Sequence, residues 1–137
     1  MILGTDQVNK IREILRESKT IAVVGLSPKP HRPSHQVARY LMEAGYTVIP
    51  VNPGHDALMG LTCYPNLRAI PAPIDMVDIF RRPEAVMNIV NDAVAIGARY
   101  IWMQEGIVNE EAAAKAEAAG LRVVMDRCTM VDHMNLL

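Results

Sequence analysis

Three helix-like segments of this chain end in glycine, and each glycine is followed two or three residues later by a short apolar run. Gly45 precedes 47–51 (TVIPV), Gly97 precedes 100–103 (YIWM) and Gly120 precedes 122–125 (RVVM). A glycine at that position adopts the left-handed conformation that stops a helix and turns the chain back. Repeated three times, the pattern predicts stacked strand–helix–strand units. Two more runs, 20–25 (TIAVVG) and 76–80 (MVDIF), read as strands of the same kind. Near-continuous apolar runs of this length suit parallel strands covered on both faces.

The segments between them carry helical spacing. Val37, Leu41 and Ala44 form one stripe, and Val86, Ile89, Val90 and Ala93 another. Residues 112–119 are an Ala/Glu/Lys run with strong helix propensity, preceded by Asn109 as a cap and by Glu110 and Glu111 in the first turn. An opening helix presents Val8, Ile11 and Leu15 on one face. The stretch 54–74 lacks a full helix; it is read as an abbreviated crossover with an edge strand over Leu61 to Tyr64 and a helical turn near Leu67. The expected fold is α/β: a Rossmann-like open parallel sheet, three layers deep (α/β/α), with strand order 3-2-1-4-5-6.

At 137 residues, 50% hydrophobic and 21% charged, the chain has an ordinary globular composition, expected to form one domain over 1–137. The formal net charge of -1 argues against general nucleic-acid binding. No apolar run is long enough to cross a bilayer, and MILGTDQVNK does not read as a signal peptide. Two cysteines, Cys63 and Cys128, make no disulfide framework, so a cytoplasmic setting is expected. Aromatic residues, at 4%, are too few for a sugar-binding or base-stacking surface.

In such sheets ligands bind beyond the carboxyl ends of the strands, where the strand order reverses. After the first strand comes Gly25-Leu26-Ser27-Pro28-Lys29-Pro30-His31-Arg32-Pro33-Ser34, then a helix. A glycine turn leading into a helix N-terminus can hold a pyrophosphate, because free N–H groups and the helix dipole both favour an anion. Ser27 and Ser34 add hydroxyls, and Lys29 and Arg32 add charge; the bland alternative is an ordinary loop with Ser34 as helix cap. The dinucleotide fingerprint G-x-G-x-x-G is absent, since Ser27 and Pro30 stand where its later glycines belong, and Asn52-Pro53-Gly54 replaces the ribose-binding acid. No P-loop is present. Arg81 and Arg82 follow the fourth strand; with Lys29 and Arg32 they place four cations on one edge of a nearly neutral chain, which favours a polyphosphorylated small ligand.

GLSPKPHRPS after the first strand, VIPVNPG at the second, DMVDIFRRPE at the fourth, WMQEGI at the fifth and VVMDRC at the sixth together resemble the bacterial stand-alone CoA-binding proteins. Those are similar to the N-terminal CoA-binding domain of the succinyl-CoA synthetase alpha subunit. The resemblance spans about residues 5–133 and implies a Rossmann-like fold that binds coenzyme A or an acyl-CoA. It implies that Gly25, Leu26, Ser27, Lys29, Arg32 and Ser34 meet the diphosphate and ribose phosphate, and that Asn52 and Pro53 border the adenosine. Ile79, Phe80 and Arg81 would line the path of the arm, with Gln104, Glu105, Gly106 and Cys128 nearer the thiol. The synthetase also has a phosphohistidine domain and a nucleotide-binding partner subunit; a chain ending at Leu137 has room for neither, so no ligase activity is expected of it alone.

The remaining candidates are weaker. A thiolate at Cys128 beside Arg127 could have a lowered pKa and form a mixed disulfide with CoA, although a small, partly buried thiol is the plainer expectation. His31 and His35 lack the spacing of a metal site and are expected to flank the loop as solvated side chains. Glu110 and Glu111 read as first-turn charges, leaving only Glu105 with any functional weight, and no catalytic triad can be assembled by spacing. The leading expectation is a non-catalytic CoA-binding protein with neither a nucleic-acid nor a membrane partner. The alternatives are a small NAD(P)-dependent oxidoreductase and a regulatory nucleotide-binding domain of a larger complex.

Overall fold

The computed structural model describes residues 3–137. Five parallel strands form the central sheet: β1 (Thr20–Val24), β2 (Thr47–Val51), β5 (Met76–Ile79), β6 (Tyr100–Met103) and β7 (Arg122–Val124), in the order β2-β1-β5-β6-β7. Pairing is in register along the carboxyl edge, with Val24 opposite both Val51 and Ile79, and Ile79 opposite Met103. Strand order reverses between β1 and β5, which puts the crevice for a ligand above those two strands.

The edge strand expected over 61–64 is not part of this sheet. Ala57–Leu58 (β3) and Leu61–Thr62 (β4) fold back on each other as an antiparallel pair, turned by Met59 and Gly60, both at positive φ. Only Tyr64 reaches β2, through a single parallel bridge to Val51. The Tyr64 N–H donates to the Pro50 carbonyl, and the Asn52 N–H donates to the Tyr64 carbonyl. The third position of the expected order is thus reduced to one residue, because Pro65 follows immediately and has no N–H for a ladder.

Side chains alternate between the two faces and meet two helical layers. Val24, Val77, Ile79, Ile101 and Val123 pack with α3 (Val86–Ala95) and α4 (Glu110–Ala118). Ile21, Val23, Met76, Trp102 and Val124 pack with α1 (Thr5–Glu17), α2 (Pro33–Glu43) and α5 (Thr129–Leu136). The expected stripes are the buried faces: Val37 and Leu41 on α2, and Val86, Val90 and Ala93 on α3. Gly45, Gly97 and Gly120 all have positive φ, as helix stops require.

Asn109 caps α4 with its side-chain oxygen, which accepts from the Ala112 N–H at 3.0 Å. Its amide nitrogen donates to the Pro83 carbonyl at 2.9 Å and so fastens the start of α4 to the turn after β5. Asn109→Ala is expected to cost about 1 kcal/mol, read as a shifted denaturant midpoint with an unchanged slope; an unshifted midpoint contradicts the cap assignment.

Candidate functional site

The loop after β1 is built by short-range hydrogen bonds. The Ser34 hydroxyl oxygen accepts from the Ser27 N–H at 3.0 Å, and the Ser27 hydroxyl oxygen accepts from the Lys29 N–H at 3.1 Å. Both hydroxyls act as acceptors here, so each keeps its own proton for a ligand. Ser34 does not take the helix-cap role of the bland alternative: Arg32 occupies that position without a side-chain cap bond, because Pro33 takes the first helical place. His35 is buried rather than solvated, and its Nδ1 lies 2.9 Å from the Ser27 carbonyl. Neither serine nor His35 could be assigned its partner by spacing, because the loop folds back on the first turn of α2.

Three clefts follow one another along the carboxyl edge. The first, of about 320 Å³, is lined by Gly25, Ser27, Lys29, Arg32, Ser34 and Phe80. The second, of about 640 Å³, runs from Pro33 and Phe80 past Arg81, Gln104, Glu105 and Gly106 to Cys128 and the start of α5. The third, of about 230 Å³, lies on the β2 side between Pro53, Asn66, Leu67, Arg81, Asn88 and Ile89. Phe80 and Pro33 border both the first and second clefts, and Arg81 borders both the second and third, so the three adjoin. Among the described residues, Lys29, Arg32, Arg81 and Arg82 are exposed and outside every ion pair, as are Arg16, Lys19, Arg39 and Lys115 elsewhere on the surface.

Three of the expected residues stand behind this surface. Leu26 and Ile79 are fully buried and shape the edge from beneath. Asn52 uses its side chain internally: the amide nitrogen donates to the Leu26 carbonyl at 3.0 Å and the oxygen accepts from the Gly54 N–H at 2.9 Å. It ties the loop after β2 to the loop after β1. Gln104 borders the second cleft but is nearly buried, and its amide nitrogen is committed to Asp78 (2.7 Å) and Thr129 (2.9 Å).

Asp78 is the residue that sequence reasoning passed over. Its strand neighbours in register are Val23 and Trp102, so a carboxyl group sits fully buried in the apolar layer. Burial pushes its pKa up to about 7, against the pull of the hydrogen bonds from Gln104 and Thr129. The available signal was a lone acid inside an otherwise apolar strand run.

Cys128 follows the plainer of its two readings, a partly buried thiol, and not the lowered pKa. Burial pushes the thiol up, and Asp78 and Glu105 add to that shift, although the Val131 and Met130 N–H groups pull the other way. Arg127 gives the thiol no help, because its guanidinium grips Asp132 through two bonds of 2.7 and 2.6 Å.

Residues 19–134 match the family described as CoA binding domain. The chain belongs to that family. It is 44% identical over 124 residues to uncharacterized protein YneT of Bacillus subtilis (strain 168), covering 90% of this chain and 92% of that one. A solved structure of a hypothetical protein from Pyrococcus horikoshii OT3 superposes with a TM-score of 0.94 at 43% identity, over 99% of this chain and 97% of that one. The CoA-binding domain family also reaches into larger enzymes. A dinucleotide forming acetyl-coenzyme A synthetase 1 of Candidatus Korarchaeum cryptofilum, in its apo form, aligns at 32% identity and a TM-score of 0.70. That alignment covers 77% of this chain but 25% of the synthetase chain. No helix among the described residues is long and apolar enough to cross a membrane.

Proposed function

We propose that this chain binds coenzyme A along the carboxyl edge of its sheet and performs no reaction on it alone. The observation that carries the reading is the row of three adjoining clefts lined by Lys29, Arg32, Arg81 and Arg82, in a chain of the CoA-binding domain family. Coenzyme A has three parts of matching chemistry: an adenosine, a cluster of phosphates and a long uncharged arm. The Ser27 and Ser34 hydroxyls, Lys29, Arg32 and the unpaired Ser34 N–H at the start of α2 suit the diphosphate. The β2-side cleft, with Pro53 and Ile89 as apolar walls and Asn66 and Asn88 as polar edges, suits the adenine. Arg81, between the clefts, suits a phosphate that both parts approach. The arm then runs over Phe80 toward Glu105, Gly106 and Cys128.

Two features weigh against a dinucleotide. The end of β2 offers Asn52, with its side chain already committed, where a ribose diol needs a carboxylate. Beyond Arg81, Arg82 and Glu105 the second cleft is walled by Val37, Phe80, Ile107, Met130 and Val131, which suits an uncharged arm better than a second nucleotide. The non-catalytic reading rests on the same residues, since the Cys128 thiol is pushed toward its protonated form and His35 is turned inward onto Ser27.

Arg32→Ala and Arg81→Ala are each expected to weaken CoA about tenfold to a hundredfold, the worth of a charge-assisted hydrogen bond. Each should also flatten the salt dependence of binding. Titration calorimetry at two salt concentrations reads both effects; wild-type affinity in both variants would remove the phosphates from this edge.

A further inference from the structure

The second cleft has a mixed lining. Arg81, Arg82 and the backbone around Gly106 contribute polar and charged groups, and Ile107, Met130 and Val131 add apolar wall beside Cys128. Val131 keeps 40% of its surface exposed, so an apolar side chain of the lining stands in water. The Arg127 guanidinium, next to Cys128 in the chain, is locked onto Asp132, and Glu105 adds a carboxylate to the same lining.

A free CoA thiol gains nothing from such a wall, and its thiolate form would be repelled by Glu105. A thioester carries no charge, and its hydrocarbon chain would cover the exposed Val131 side chain. Methionine, unbranched and polarizable, adapts to chains of different length.

We propose that Ile107, Met130 and Val131 form an acyl subsite, so that the preferred ligand is an acyl-CoA with a short to medium hydrocarbon chain rather than free CoA. This rests on the CoA reading of the same edge and extends it to the class of ligand.

The test is calorimetric titration of the full chain with CoA and with acetyl-, butanoyl-, hexanoyl- and octanoyl-CoA, on wild type and Val131→Asp. Residue 131 is exposed and lies in the first turn of α5, where an added carboxylate complements the helix dipole, so the variant is expected to fold. A fully buried methylene is worth about fourfold in affinity, and one lying in an open cleft about twofold. Wild-type affinity is therefore expected to climb at least about tenfold from CoA to octanoyl-CoA. Val131→Asp is expected to flatten that climb while holding CoA itself within about twofold. Equal affinity for CoA and all its thioesters overturns the acyl subsite and leaves the CoA reading standing. Failure to bind any of the series overturns both. Sedimentation of the unliganded protein adds one more outcome: a dimer dispersed by Val131→Asp, together with binding independent of chain length, gives the apolar wall to a second copy and overturns the proposal.

Discussion

Gly25→Val is expected to lower stability by about 3 kcal/mol and to abolish ligand binding at the loop. Gly25 has φ +88, and a Cβ built there would lie 2.6 Å from the Phe80 carbonyl oxygen and 2.9 Å from the Arg81 Cδ. Neither backbone can give way. The Gly25 N–H donates to the Val51 carbonyl and the Phe80 N–H to the Val24 carbonyl, each at 2.9 Å, so both segments are stitched into the sheet edge. Left-handed backbone costs a non-glycine residue about 1–2 kcal/mol, and overpacking against a fixed neighbour adds about 1–3 kcal/mol. A valine, branched at Cβ, meets both penalties in full. The strain falls where the loop after β1 touches the loop after β5, so the first and second clefts lose their shared wall at Phe80. Chemical denaturation reads the stability, and titration with CoA reads the site. A variant that unfolds at the wild-type midpoint would contradict the close approach at Gly25.

Stability is also expected to fall as pH rises from about 4 to about 7, with Asp78 as a principal cause. Its folded pKa is raised to about 7, above the ordinary carboxyl value of 3.8. Between those values the folded state holds a proton that the unfolded chain has released, so raising the pH favours unfolding. The contribution is complete below pH 4, declines through the window and is gone above pH 7. Fully realised, the change would be roughly 4 kcal/mol, a large share of a typical domain's total. Asp78→Asn carries no ionisable group, and its amide oxygen still accepts from Gln104, so its stability should be flatter across this range. Denaturation midpoints at three or four pH values compare the two proteins; equal slopes would show that Asp78 titrates near its unfolded value.

The layers of this fold were legible because each element states its own period. The runs 20–25, 76–80 and 100–103 are apolar on both faces apart from Asp78, as a strand covered on both sides requires. Gly45, Gly97 and Gly120 mark the ends of the helices between the strands. The edge over 57–64 was less legible. Ala57–Leu58 and Leu61–Thr62 are too short to carry a period, and the positive φ at Met59 that turns them together has no sequence marker.

The candidate site divides in the same way. Gly25, Ser27, Lys29, Arg32 and Ser34 lie together because they are consecutive in one loop, and a contiguous loop can be read from a sequence. Hydrogen-bond direction cannot be read that way, which is why Ser34 proved to hold Ser27 rather than cap α2. Leu26, Asn52 and Ile79 sit at the right ends of their strands but face inward, a distinction that depends on a single step of the pleat or turn. Ile107 comes from the loop after β6, Met130 and Val131 from the first turn of α5, so no spacing announces them. Asp78, Gln104 and Thr129 likewise come from three elements and meet beneath the cleft.

The central claim is that the carboxyl edge takes a CoA rather than a dinucleotide. The most direct measurement is titration calorimetry of the purified protein, stripped of any carried ligand, with CoA and, as controls, NAD and NADP. The account predicts saturable heat from CoA and none from either dinucleotide. Saturable binding of NAD or NADP, with no response to CoA from the folded protein, would contradict it.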